Sequence, residues 1–409
     1  GRVQTAFPST TATSLATLTT GTLPGAHGML GYTVRVPRSN GRILNALKWD
    51  DRVDPTYWQP VPTLFERATA AGVNVSHVAA KRYENTGFTQ AVFRGATYRG
   101  ANVVDELVAQ TKLALAKSPA LVYLYMNDLD SAGHNDGVGS DKWLAALTML
   151  DHMAKQLIIE LPKGTRIWLT ADHGMVNVEE KIVMGRDNQL LTGIATIAGE
   201  PRARHLYLDA ALDSVAARAE VKSRWEEYLT DRADIYTRED ALTAGLFGPN
   251  PSADTFDRMG EIIAIAKGGV ILIEQERESL EGSMIGHHGA LTGYEAGFRH
   301  VTAALVDKNA LFGHVRQVFN VAHMQRRVKN QAGVHAFHAV AFGGQFGVVP
   351  SGEALQLGPT LPSSREGALV AAGFEFGRGQ SDLRPCLRQL VGRNASCLKG
   401  IHVEPHHGG

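Results

Sequence analysis

Six acidic and histidine side chains of this 409-residue sequence lie in three clusters that could hold metal ions. They are Asp130 and His134 in DLDSAGH, Asp172 and His173 in ADHGM, and His287 and His288 in GHHGALT. Carboxylate oxygens and imidazole nitrogens are the ligands of zinc and similar divalent ions. One such pair alone is more typical of a helix cap or a loop hydrogen bond. Three clusters together predict a metal site.

A run of hydroxyl side chains, FPSTTATSLATLTTG, lies near the start of the sequence. The run leads into a short predicted helix that can end at Gly21. A threonine at a helix N-terminus lies in the positive field of that helix, where phosphate binds readily. By itself the run is typical of an N-cap. Beside a two-metal site, one of its threonines becomes a candidate nucleophile, because a metal can hold its hydroxyl as an alkoxide.

Short apolar runs that alternate with helical patterns would position these clusters. We predict strands at residues 73–79, 120–126 and 166–170, and helices at residues 62–71, 103–116 and 142–160. This alternation indicates an α/β fold with a mostly parallel sheet covered by helices. The clusters that contain Asp130 and Asp172 follow the second and third predicted strands. Because ligands of open α/β sheets bind at the carboxyl ends of strands, this is where a site is expected.

Composition narrows the class of partner. The chain carries 41 basic and 41 acidic residues and is 44% apolar. This balance argues against an electrostatic nucleic-acid or membrane-surface binder, and no apolar run is long enough to span a bilayer. The two cysteines cannot form a disulfide framework. We therefore expect a small-molecule substrate. Low cysteine usage is compatible with a cytoplasmic protein of bacterial type, and a signal peptide before the first residue, which this sequence would not show, is the alternative. The sequence indicates no oligomeric state.

Changes in the sequence pattern divide the chain into three parts. We expect residues 1–195 and 270–292 to form the core and residues 196–269 a small cap, with a hairpin at EIIAIAKGGVILIE that turns on Gly268 and Gly269. Residues 293–409 are basic, rich in glycine and weakly periodic. We expect them to be either a poorly ordered tail or a small C-terminal domain.

Taken in order, FPSTTATSLATLTTG, DLDSAGH, TADHGM and GHHGALT resemble the type I phosphodiesterase/nucleotide pyrophosphatase branch of the alkaline phosphatase superfamily. The resemblance covers residues 1 to about 292. It implies an alkaline phosphatase-like core and two zinc ions. Thr11 would be the nucleophile, and Asp130, His134 and His288 would bind one zinc. His287 is the alternative for the late histidine ligand.

The same resemblance assigns Asp172, His173 and Thr11 to the second zinc. The family adds an aspartate from a strand that precedes the nucleophile, and we expect that strand to be missing from this sequence, which opens inside the site. The family's phosphate-binding asparagine is also absent. Tyr32 stands near its place, and Asn45 is a candidate substitute, with His287 a further candidate for binding substrate.

The resemblance implies a hydrolase of phosphodiester, pyrophosphate or phosphomonoester bonds that forms a phospho-threonine intermediate on a small phosphate ester or nucleotide. A phosphonoacetate hydrolase-like enzyme, which shares the threonine nucleophile, is one alternative. A truncated, non-catalytic metal-binding domain is another. A sulfatase is disfavoured because residues 7–13 lack its nucleophile motif, and a cofactor-independent mutase because it would use serine.

The sequence leaves two interpretations of one basic cluster open. Arg202, Arg204 and His205 in EPRARHLYL could orient a substrate anion from the cap, or could form a solvated surface patch.

Overall fold

The computed structural model describes residues 2–212, 214–299, 301–304 and 338–343. As far as residue 125 the elements are β1 (Arg2–Gln4), α1 (Thr11–Thr20), α2 (Pro24–His27), β2 (Thr33–Arg35), β3 (Ile43–Asn45), α3 (Pro55–Trp58), α4 (Leu64–Ala70), β4 (Asn74–Ala79), α5 (Gly87–Val92), β5 (Thr97–Gly100), α6 (Val104–Ala114) and β6 (Ala120–Tyr125). The next elements are α7 (Asp128–Asp136), α8 (Asp141–Glu160), β7 (Arg166–Thr170), β8 (Val176–Asn177), β9 (Glu180–Met184) and β10 (Ile194–Glu200).

The remaining elements are β11 (Ala203–Leu208), α9 (Val215–Leu229), β12 (Ala233–Thr237), α10 (Arg238–Thr243), α11 (Ala253–Arg258), β13 (Ile262–Ala266), β14 (Val270–Glu274), α12 (Glu278–Glu281), β15 (Gly286–His287), β16 (Gly297–Arg299), β17 (Val301–Ala304) and β18 (His338–Gly343). Among the described residues, no helix combines the length and apolar character needed to cross a bilayer.

The main sheet has six strands in the order β17-β7-β18-β6-β4-β5. Strand β4 pairs in parallel with β5 and with β6, whereas β18 is antiparallel to both β6 and β7. Strands β5, β4, β6 and β7 therefore run in one direction, and β17 and β18 run against them. The predicted α/β class is confirmed.

Strand β6 lies in the middle of the apolar core and is buried on both faces. Leu121 and Tyr123 point into one cluster, which includes residues of α1, α4 and α5. Val122 and Leu124 point into the other, which includes residues of α6 and α8. This alternation follows from the two-residue period of a strand, and helices on both faces explain its continuous apolar sequence. The strand ends just before α7, the helix that carries Asp130 and His134.

The local predictions agree with these elements. The three predicted strands correspond to β4, β6 and β7, and the three predicted helices to α4, α6 and α8, with shifts of at most two residues. Helix α1 ends as expected at Gly21, whose φ of 69° is left-handed. Helix α4 begins with a capping box formed by Thr63 and Glu66, so its start lies slightly later than predicted.

A second, antiparallel sheet has the order β10-β11-β13-β12 and is built from residues 194–266. Helix α9 packs on it through the buried Trp225 and Leu229. The hairpin predicted between β13 and β14 is wrong. Strand β13 pairs with β11 and β12, whereas β14 pairs in parallel with β9. The two glycines do mark a turn, but apolar pairing with distant strands, which a local pattern cannot specify, decides the partners.

Two stretches of the segment 293–409 belong to the main sheet, because β17 pairs with β7 and β18 lies between β6 and β7. The other residues from 305 onward that the sequence analysis assigned to a tail or small domain lie outside the described residues.

Candidate active site

Asp130, His134 and His288 form a compact group beside the carboxyl end of β6. Asp130 and His134 lie four residues apart on α7, which places both side chains on one face of the helix. His288 directly follows β15. Both histidine Nε2 atoms lie 3.7 Å from Asp130 Oδ1 and 3.2 Å from each other. Their ligand atoms are close enough to share one metal ion.

The hydrogen bonds of the two histidines turn their lone pairs toward that point. His134 Nδ1 donates to the carbonyl oxygen of Gly286 at 2.8 Å, and His288 Nδ1 donates to that of Ser9 at 2.9 Å. The Nε2 atom of each neutral ring is therefore an acceptor. Asp130 Oδ1 is buried and accepts no hydrogen bond from the described residues. Three acceptors thus converge without a donor, which is the arrangement that a cation satisfies.

A second group consists of Thr11, Asp172 and His173, the last two directly beyond β7. His173 Nδ1 donates to the carbonyl oxygen of Gly174 at 2.9 Å, so its Nε2 atom faces Thr11 Oγ1 at 2.9 Å and Asp172 Oδ2 at 3.4 Å. The ring of His173 stacks on that of His288, with centroids 3.7 Å apart. The two groups therefore adjoin.

The surroundings shift the pKa values of the two stacked histidines in opposite directions. Burial disfavours the imidazolium of His173, but the carboxylates of Asp172 and Asp130 oppose this, and the net effect raises its pKa. Burial, together with the neighbouring rings of His173 and His134, lowers the pKa of His288 well below its ordinary value. His288 therefore stays neutral, as a metal ligand must.

Helix α1 presents Thr11 at its N-terminus. Thr11 is the first residue of the helix, and the side chain of the preceding N-cap residue, Thr10, makes no capping hydrogen bond. Among the described residues no side chain caps the first N–H groups of the helix, which lie in the positive field of the helix dipole. This place suits a phosphoryl group next to the Thr11 hydroxyl.

Three further candidates from the sequence have other contacts. His287 Nε2 donates to the carbonyl oxygen of Glu281 at 2.9 Å, and burial lowers the pKa of this histidine to about 3. Asn45 Oδ1 accepts two backbone N–H groups of the turn that follows β3, both at 3.0 Å. Tyr32 donates its backbone N–H to Glu200 Oε2 at 3.0 Å.

Glu200 is a residue that the sequence analysis did not identify. It ends β10, its side chain is buried, and its Oε1 atom accepts no hydrogen bond from the described residues. Burial raises its pKa to about 8, although the N–H of Tyr32 opposes the shift. A Cβ atom at Gly289, whose φ is +131°, would meet Glu200 Cγ at 2.7 Å. The carboxyl group thus lies beside the His288 loop, and no motif of the sequence indicates it.

Both interpretations of the basic cluster are wrong. Arg202, Arg204 and His205 are all buried, with exposed fractions of 1% or less. Arg202 binds Glu295, and Arg204 binds Glu281, each through a buried ion pair. These side chains are therefore neither a solvated patch nor free to hold a substrate anion, since internal carboxylates already neutralise both arginines.

Comparisons with known proteins match most of the chain. The sequence profile of the type I phosphodiesterase / nucleotide pyrophosphatase family matches residues 1–291. An ectonucleotide pyrophosphatase/phosphodiesterase of Caenorhabditis elegans is 24% identical over 294 residues, which are 70% of this chain and 34% of that protein. The chain thus spans about a third of the length of that curated relative.

Two solved structures share the fold. Murine ectonucleotide pyrophosphatase / phosphodiesterase 5 superposes with a TM-score of 0.58 at 16% identity, over 78% of this chain and 86% of that one. Phosphonoacetate hydrolase from Sinorhizobium meliloti superposes with a TM-score of 0.55 at 16% identity, over 74% of this chain and 80% of that one.

Proposed function

Since the chain belongs to the type I phosphodiesterase / nucleotide pyrophosphatase family, we propose that it hydrolyses phosphodiester, pyrophosphate or phosphomonoester bonds of small substrates of the nucleotide type. Thr11 is the nucleophile of this proposal. Asp130, His134 and His288 hold one zinc ion, and Asp172 and His173 hold the second together with Thr11.

One observation carries the proposal: three buried or half-buried acceptors converge next to a threonine at a helix N-terminus. The lone pairs of His134 and His288 and the unpaired oxygen of Asp130 need a cation. Oxygen and nitrogen ligands in this number fit zinc. The stacking of His173 on His288 brings the Thr11 hydroxyl beside that point.

The residues then perform two displacements. Oγ1 of Thr11 attacks the phosphorus atom, and the bond from phosphorus to the leaving oxygen breaks, which gives a phospho-threonine. Water then attacks the same phosphorus on the face opposite Thr11 and gives up a proton. The bond from phosphorus to Oγ1 breaks, which releases the phosphate product, and a proton on Oγ1 restores the hydroxyl. The zinc ions, when bound, supply the positive charge that ionises the attacking hydroxyl and neutralises the leaving oxygen. The N-terminus of α1 stabilises the phosphoryl oxygens throughout.

Zinc content and ester hydrolysis test the proposal together. We expect about two zinc ions per chain by elemental analysis, with nitrophenol release from bis-p-nitrophenyl phosphate or p-nitrophenyl phosphate. Thr11→Ala should lower turnover on the order of 10³-fold or more. The zinc content should stay the same, because Asp172 and His173 still hold the second ion. Thr17→Ala, the same change six residues further along α1, is the control and should keep wild-type turnover.

Other results of these measurements would refute the nucleophile, the catalytic activity or the substrate class. Wild-type turnover in Thr11→Ala would refute the nucleophile assignment. At most one zinc per chain and no ester hydrolysis would mean a non-catalytic metal-binding protein. Phosphate release from phosphonoacetate but not from either nitrophenyl ester would replace the phosphoesterase by a phosphonate hydrolase. The ratio of the two nitrophenyl rates separates diesterase from monoesterase.

A further inference from the structure

A buried ion pair joins the second sheet to the loops of the candidate site. Arg202, in the turn between β10 and β11, donates through Nε and Nη2 to the two carboxylate oxygens of Glu295, at 2.6 and 2.8 Å. Its Nη1 atom donates to the carbonyl oxygen of Val270 at 2.6 Å. Both side chains are fully buried. Each charge is thus removed from water but matched by a partner in fixed, bidentate geometry.

Glu295 uses its remaining acceptors to hold two metal-ligand loops. Its Oε1 atom accepts the N–H of Ala290, and its Oε2 atom accepts the hydroxyl of Thr292, at 3.0 and 2.6 Å. Its carbonyl oxygen accepts the N–H of Gly174 at 2.7 Å. Ala290 lies two residues after His288, and Gly174 directly follows His173. One residue therefore bonds to a neighbour of each stacked histidine.

Ser9 continues this network to the segment that carries the nucleophile. Its backbone N–H donates to the carbonyl oxygen of Gly289 at 3.1 Å, and its hydroxyl donates to that of Ala290 at 2.7 Å. Its carbonyl oxygen accepts the Nδ1–H of His288. The loop 288–290 is thus fixed from one side by Ser9 and from the other by Glu295, and Thr11 lies two residues beyond Ser9.

From these contacts we infer that the Arg202–Glu295 pair positions the metal-ligand loops: it sets the distance between His173 and His288, each of which would hold one of the two metal ions. The inference rests on the proposed function. Arg202 fixes the carboxylate of Glu295, which bonds to loop 288–292, and the backbone carbonyl of the same residue bonds to Gly174 beside His173. Neither side chain bonds to a proposed ligand atom among the hydrogen bonds of the described residues, so both are positioning residues. Supporting groups of this kind typically change metal affinity by about 10- to 100-fold.

A neighbouring pair offers a matched control. Arg204 is also fully buried, two residues from Arg202, and it binds Glu281 and the carbonyl oxygen of Leu272. Its side chain does not bond to loops 172–174 or 288–292 among the hydrogen bonds that the described residues make. Loss of either arginine therefore unpairs a buried carboxylate, but only loss of Arg202 unpairs the carboxylate that bonds to loop 288–292.

The experiment compares Arg202→Met and Glu295→Gln with Arg204→Met. Zinc affinity is measured by competition with a chelator, and the visible absorption of the Co²⁺-loaded protein reports the coordination geometry. We expect the first two variants to bind zinc at least about tenfold more weakly and to change the cobalt spectrum. Arg204→Met should lower the thermal midpoint similarly while zinc affinity and cobalt spectrum stay those of the wild type.

A milder change keeps the test decisive if these variants do not fold. Thr292→Val removes a single hydrogen bond to Glu295 at nearly constant volume, and it should weaken zinc binding by about threefold. Wild-type zinc affinity and cobalt spectrum in Glu295→Gln, or in Thr292→Val where Glu295→Gln is unfolded, would overturn the inference. So would an equal loss in Arg204→Met, because a general loss of stability would then explain both.

The wild-type protein separates this inference from the proposed function. If it binds two metal ions but hydrolyses no ester, the proposed activity fails while the variant comparison still decides the role of the pair. If it binds no metal, the proposed metal site is refuted, and the inference is refuted with it. If it is active and the variants bind zinc like the wild type, only the inference fails.

Discussion

Glu200 shows how burial can outweigh the interactions that favour the ionised form of a side chain. The only backbone N–H that it accepts among the described hydrogen bonds comes from Tyr32, and its second carboxyl oxygen lies in the protein interior. Burial therefore raises its pKa from 4.5 to about 8. Between these pH values the folded protein keeps a proton that the unfolded chain releases. The free energy of unfolding must then fall as the pH rises through this window, and the effect is complete above pH 8.

Glu200→Gln should remove this pH dependence, because the glutamine side chain is neutral throughout and its carbonyl can still accept the Tyr32 N–H. Relative to the wild type, the metal-free variant should gain up to about 4 kcal/mol of unfolding free energy between pH 5 and pH 8. Urea unfolding of both proteins at pH 5, 6.5 and 8 measures this. Parallel pH profiles for the two proteins would show that the carboxyl group ionises normally.

The residues of the site differ in how far the sequence could reveal them. Asp130 and His134 share one motif, and Asp172 and His173 another, so their residue types and spacing are visible locally. Glu200 has no such signal, because its contact with Tyr32 joins positions 168 residues apart. In the doublet of His287 and His288, sequence alone leaves the choice open, while the hydrogen bond from His287 to Glu281 turns that ring toward a carbonyl group.

At the scale of elements, the contact between α7 and β15 depends on the absence of a side chain at Gly286. A Cβ atom there would lie 2.4 Å from the carbonyl oxygen of Gly133 and 2.5 Å from Met175 Sδ. The first contact is with the backbone of α7, which cannot rotate away. The same strand accepts the Nδ1–H of His134 through its Gly286 carbonyl.

Gly286→Ala should therefore push β15 away from α7. We expect a loss of about 1 to 3 kcal/mol of unfolding free energy, as for other overpacked sites, and weaker zinc binding because His134 loses its orientation. Gly293→Ala is the control, since a Cβ atom there meets nothing within 4 Å; it should stay within about 0.5 kcal/mol of the wild type. Equal urea midpoints for the two variants would contradict the steric argument.

Element positions were predictable where local signals define them, and strand pairing was not. Helix α8 has a serine N-cap at Ser140 and buried apolar residues at helical spacing, so its bounds follow from the sequence. The turn at Gly268 is equally local. The partners of the strands around it are not, because β14 pairs with β9, about 90 residues earlier in the chain. The hairpin prediction assumed pairing between neighbours, and tertiary contacts decided otherwise.

At the scale of the whole molecule, distant segments meet in pairs that composition cannot reveal. The charge balance of the chain is zero, yet Arg202 finds its carboxylate 93 residues away and Arg204 finds Glu281 77 residues away. A basic cluster read along the sequence therefore suggested a surface that the fold does not have. The same long-range assembly brings Thr11, Asp130, His173 and His288 together from separate parts of the chain.

This assembly predicts that zinc stabilises the entire fold. The unfolded chain scatters the proposed ligands from Thr11 to His288, so zinc should bind far better to the native state. Zinc at about 100 times its dissociation constant adds about 2.7 kcal/mol, and removal of zinc by a chelator should then lower the thermal midpoint by several degrees. His288→Ala should abolish most of this response. His287→Gln should keep it, because His287 Nε2 already bonds to the carbonyl oxygen of Glu281. An equal midpoint with zinc and with chelator, or a response that depends on His287 rather than His288, would mean that the three converging acceptors do not bind a metal.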